Sequence, residues 1–90
     1  MTVPDLTAMH RIIKNGGKLS FSLSKLEVSE LIPGQLEVIE NYGTILIFPT
    51  VAKTFQNKKL SIAYQSAVEK SAPVEISREN DHYLINFSFS

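Results

Sequence analysis

The sequence predicts an α+β domain: a small, largely antiparallel sheet of about five strands, with helices packed mainly on one face. Three observations carry this. Apolar residues recur at helical spacing in two stretches, from Leu6 and again from Leu60. They alternate strictly with other residues in two more, Leu19–Leu23 and Tyr83–Phe89. The helical and strand-like stretches are interleaved with paired hairpins, an order that favours antiparallel pairing over a regular strand–helix repeat. Ninety residues make one domain, 1–90, and an apolar content of 43% can supply its core.

The first helix is expected to open at Thr2-Val3-Pro4-Asp5. Thr2 is suited to cap it, Pro4 to a first turn where no donor is missed, and Asp5 to the positive end of the dipole. Leu6, Met9 and Ile13 form its apolar stripe with Ile12 beside it, and Gly16-Gly17 stops it. Leu19, Phe21 and Leu23 then alternate with Ser20, Ser22 and Ser24, as in a strand buried on one face and wet on the other. At Lys25 the apolar parity shifts to Leu26 and Val28, which a strand cannot do without a bulge. Ser24-Lys25-Leu26-Glu27 has capping-box spacing, so a short helix is expected up to Ile32, ended by Pro33-Gly34.

Leu36–Glu40 and Thr44–Phe48 flank Asn41-Tyr42-Gly43 and read as the arms of a hairpin. Ile45 through Phe48 are apolar at successive positions, the pattern of a central strand covered on both faces. Leu60, Ala63, Tyr64, Ala67 and Val68 fit a helix at every expected position, whereas Leu60, Ile62 and Tyr64 fit a strand at only three. Val51, Ala52 and Phe55 lie on another side of the same helical wheel, so a bend or break is expected near Asn57. Ala72-Pro73 ends that helix. Val74 and Ile76 then alternate with Glu75 and Ser77, Arg78–Asp81 form a polar turn, and Tyr83, Ile85, Phe87 and Phe89 alternate with Leu84, Asn86, Ser88 and Ser90. Phe21, Ile47 and Phe87 are expected in the core, facing the helices.

Several functions are disfavoured by what the chain carries. With no cysteine it has no disulfide, no thiolate metal site and no cysteine nucleophile. Its first residues lack a basic segment followed by an apolar one, so no signal peptide is expected. Thr44–Phe48, the longest strongly apolar run, falls far short of the ~20 residues needed to cross a bilayer. The expected location is cytoplasmic, without membrane contact. His10 and His82 are far apart on different elements and do not make a zinc set. Asp81-His82 resembles an oriented base, but neighbours on a strand point to opposite faces, so His82 reads as a surface turn residue. None of the ten serines sits in a nucleophile motif with supporting partners. Gly16-Gly17-Lys18 follows a helix and precedes a strand, the reverse of a phosphate loop. Glu27/Glu30 and Glu37/Glu40 read as solvated charge, since acid catalysis would need one carboxyl in an apolar cleft. No enzyme, cofactor or metal is therefore expected.

Two surfaces remain. His10, Arg11, Lys14, Lys18, Lys53, Lys58 and Lys59 would form an anion- or nucleic-acid-binding patch if they converged, although nine basic residues balance nine acidic ones and no nucleic-acid motif accompanies them. Tyr83, Ile85, Asn86, Phe87, Ser88 and Phe89 would form a strand-pairing interface if that strand were an edge, because it carries no lysine, proline or glycine to blunt it. The leading expectation is a non-enzymatic protein-binding module (inhibitor, adaptor or accessory subunit) that docks on another protein or on its own copy as a homodimer. Accessory nucleic-acid binding through the basic face is the alternative, and a small hydrolase a distant third.

Overall fold

Asp5 starts the first helix, α1 (Leu6–Asn15), by accepting the Ala8 backbone N–H on its carboxylate at 2.8 Å. The computed structural model describes residues 4–90, so the cap expected at Thr2 lies outside the described residues, and Asp5 fills that role. Met9 and Ile13 are buried, as their spacing predicts. Gly16 closes the helix by donating its amide to the Ile12 carbonyl, and β1 (Gly17–Leu23) follows at once. In β1, Leu19, Phe21 and Leu23 are buried while Lys18 and Ser22 are exposed. Ser24 then caps α2 (Lys25–Leu31) through a reciprocal box: its hydroxyl accepts the Glu27 N–H at 3.2 Å, and its own N–H donates to Glu27 Oε1 at 2.8 Å.

The next segment departs from expectation. Leu36–Tyr42 is a helix, α3, rather than the first arm of a hairpin. Leu36 and Val38 share a face in a strand, whereas Leu36 and Ile39 share one in a helix, and Ile39 decides between them: it is wholly buried with Leu36 packed against the core, while Val38 is exposed. Gly43, at φ 84°, takes the left-handed cap that a side chain resists and donates to the Ile39 carbonyl at 2.7 Å. The sheet consequently has four strands instead of about five.

β2 (Thr44–Ile47) is not a central strand either. It lies at the edge, with Thr44 and Leu46 exposed and Ile45 and Ile47 half-buried, so Ile47 packs on the core without lying inside it. Residues 48–57 are not helical. The helix α4 (Lys58–Lys70) begins at the expected break, where the Asn57 side chain accepts the Leu60 N–H at 3.2 Å. The preceding loop folds back on its first turn, Phe55 donating to Ser61 Oγ at 2.7 Å while that hydroxyl donates to the Phe55 carbonyl at 3.1 Å. These bonds favour a compact loop over a further helical turn, which leaves Val51 and Ala52 in solvent.

β3 (Val74–Arg78) and β4 (Tyr83–Phe89) complete a wholly antiparallel sheet in the order β1-β4-β3-β2. β4 pairs with β1 from Leu23↔Tyr83 to Gly17↔Phe89 and with β3 from Arg78↔Tyr83 to Val74↔Phe87. Both of its sides are therefore occupied, and the strand-pairing interface expected at Tyr83, Ile85, Asn86, Phe87, Ser88 and Phe89 does not exist as a free edge. A strand with large apolar side chains and no blunting residue is what the interior of a sheet takes. The helices cover the face that carries Phe21, Val74, Ile76, Ile85 and Phe87. Phe87 is the hub: it meets Phe21 edge-on at 5.8 Å, Tyr64 edge-on at 6.5 Å and Phe89 in a stack at 6.2 Å. No helix among the described residues is long and apolar enough to cross a membrane.

Candidate functional site

Among the described residues, none forms a covering layer on the face of the sheet opposite the helices, where Lys18, Ser22, Thr44, Leu46 and Glu75 are exposed. Register places Ser22, Leu84, Ser77 and Thr44 in one row across it, and Ser20, Asn86, Glu75 and Leu46 in the next. Ser20 Oγ donates to Asn86 Oδ1, tying β1 to β4 on this side. A shallow depression of about 500 Å³ crosses the same face, between Lys18, Asn86 and Ser88 on one flank and Pro73, Glu75 and Leu46 on the other.

The polar rows end at β2 in an apolar rim. Tyr42 is 79% exposed, Leu46 58%, Phe48 61% and Val51 70%. All four lie within Asn41–Ala52, twelve residues without a charge, whereas single scattered apolar side chains on a surface would signify little. The backbone there is also unpartnered. Arg78 donates to the Gly43 carbonyl at 2.8 Å, which fixes the phase of the β2–β3 ladder. Hydrogen-bonded and non-bonded pairs alternate along an antiparallel ladder, so Ile45 and Ile47 bond to β3 while the N–H and C=O of Thr44 and Leu46 point outward. Sequence reasoning missed this surface by taking an apolar run for a buried one. The signal was present in its ends: Gly43 and Pro49 confine the run to an edge-sized strand.

A second cluster gathers at the β3–β4 turn. Glu40 of α3 accepts Tyr83 Oη on one carboxylate oxygen and Arg78 Nη1 on the other, the latter at 3.0 Å. The hydrogen bond from Tyr83 and then that from Arg78 hold the Glu40 carboxyl below the usual carboxylate range, and the bond to Glu40, with burial, pushes the Tyr83 phenol up. A carboxylate with both oxygens occupied is a poor base, and a phenol held protonated is a poor nucleophile. The cluster is thus a tie between α3 and the β3–β4 hairpin. An open cleft of about 330 Å³ beside it is lined by Lys25, Glu40, Arg78, Asp81, His82 and Tyr83. His82 Nδ1 and Asp81 Oδ1 lie 3.0 Å apart, contrary to the expected separation: residues 80–82 form a bend before β4 begins, so strand alternation does not apply to them. Its bond to His82 lowers the Asp81 carboxyl. Among the described residues that line the cleft, Tyr83 is the one that carries a hydroxyl.

The basic residues are divided between the two sides of the molecule. His10, Arg11, Lys14 and Lys58 are exposed on helices, while Lys18 lies on the opposite, open face of the sheet. Lys53 donates to the carbonyls of Leu31 at 2.9 Å and Glu30 at 3.3 Å, closing the end of α2. Lys59 donates to the Pro4 carbonyl at 3.1 Å, joining α4 to the start of α1. Two of these seven residues, Lys53 and Lys59, thus serve the fold. Among the described residues, no three histidine, aspartate or glutamate side chains gather as metal ligands would. Compared with known proteins, the chain matches no family model, no curated protein and no solved structure.

Proposed function

We propose that this domain acts without catalysis, by docking on a protein through the rim of its open sheet, with Leu46 and Phe48 at the centre of the contact. The observation that carries this reading is the coincidence of exposed apolar side chains and outward-pointing backbone groups on one uncharged segment. Either alone would be ordinary; together they offer burial and main-chain hydrogen bonds at the same place. The Glu40–Arg78–Tyr83 cluster fits a structural tie better than an active site. Nucleic-acid binding draws less support, with Lys18 across the sheet from the helix cations and a net charge of zero.

A photo-crosslinking residue in place of Phe48, compared with one in place of the exposed Gln65 on α4, tests the reading in cells that make the protein. A protein adduct specific to position 48 and lost on Leu46→Lys is expected. Equal labelling from both positions would sink the proposal.

A further inference from the structure

We infer that the occupant of the β2 edge is a second copy of β2, paired antiparallel about a two-fold axis at Leu46; this rests on the docking reading above. The outward groups of Thr44 and Leu46 call for a strand, and three properties of the segment suit its own copy. The first is hydrogen-bond phase. With the axis at Leu46, that residue exchanges both bonds with its counterpart, and Thr44 faces Phe48 of the other copy, so outward-pointing residues meet outward-pointing residues. The second is the ends. Gly43 and Pro49 stand three residues either side of Leu46, so each proline comes opposite a glycine, which has no side chain to obstruct it. A longer partner strand would run into both.

The third is charge. Asn41–Ala52 contains none, and the charges that bound it are already engaged within the chain: Glu40 by Tyr83 and Arg78, Lys53 by the end of α2. A neutral copy buries no unpaired charge against this edge, as a charged strand would. The other outer strand differs in this respect, since β1 carries Lys18. Tyr42 and Val51 lie at opposite ends of β2, so antiparallel pairing brings the Tyr42 end of one copy to the Val51 end of the other. The four exposed side chains amount to on the order of 500 Å² per copy at full burial. Both copies together then reach about 1,000 Å², the threshold of a specific interface, so the dimer is weak and concentration-dependent.

Sedimentation equilibrium over a wide concentration range tests the inference. The expected result is a mass that rises from 10.1 kDa towards twice that value, and that stays at 10.1 kDa for Leu46→Lys with its circular dichroism unchanged. Because the chain has no cysteine, Leu46→Cys supplies a single thiol per copy. At the axis two such residues have Cα atoms about 5.5 Å apart, within disulfide reach. Mild oxidation should therefore convert Leu46→Cys, and not Gln65→Cys, into a covalent dimer. A wild type that remains monomeric at millimolar concentration overturns the inference, as does a dimer that survives Leu46→Lys. If the wild type is monomeric while Phe48 still captures a different protein, self-pairing fails and docking stands; if both measurements are blank, both fail.

Discussion

At Phe87 the whole core converges on one ring. It is wholly buried and meets three other aromatic side chains. Phe87→Ala should cost about 3–5 kcal/mol, measured as a shift in the urea unfolding midpoint, because the surrounding rings cannot all collapse into the space. Leu46, by contrast, is large and apolar yet exposed, and Leu46→Lys should change stability by less than about 0.5 kcal/mol. Glu40 predicts a pH dependence. Its carboxyl ionises more readily folded than unfolded, so its bonds to Tyr83 and Arg78 stabilise fully above the usual carboxylate range and are lost as pH falls through the lowered folded value. The stability difference between wild type and Glu40→Gln should accordingly be present at pH 7 and shrink towards pH 3. A difference that is constant across that range would mean the bonds do not favour the ionised form. None of these pairings was legible in the sequence, since Glu40 and Tyr83 stand far apart along the chain and only the fold brings them together.

Elements were legible where one period ruled out the other. β1 and β4 alternate without a break, α1 and α4 hold helical spacing over several turns, and the Ser24–Glu27 box marks the start of α2 at the residue where it occurs. Ser24→Ala should therefore lower stability by about 1 kcal/mol in a denaturant titration, with Ser24→Asp close to wild type. The failures fell on short segments. The seven residues of α3 offer an apolar pair at each spacing, Leu36/Val38 for a strand and Leu36/Ile39 for a helix, and a glycine after them suits a hairpin turn as well as a left-handed helix cap. A four-residue apolar strand reads alike whether a sheet surrounds it or ends with it, because burial there depends on neighbours supplied by distant sequence. The place of β4 was left open for the same reason: absence of blunting residues marks a strand as unsuited to an edge, and chain topology alone decides whether it becomes one.

On the scale of the whole molecule, β4 follows every other strand in sequence but lies inside the sheet, between β1 and β3. Native-state hydrogen exchange should show Ile85 and Phe87 among the slowest amides, opening only with global unfolding, while the N–H groups of Thr44 and Leu46 exchange fast in the monomer. The same topology governs biosynthesis. Until residue 89 has left the ribosome, β1 and β3 have no strand between them, and the face they will share has nothing to close it. Helices and the β2–β3 pair can form as they emerge, but β1 cannot join the sheet until β4 is available to lie between it and β3, so closure of the four-stranded sheet waits for β4. A nascent chain stalled short of β4 should leave Phe21 on β1 and Val74 and Ile76 on β3 without the strand that packs beside them, which limited proteolysis of such a stalled chain would detect.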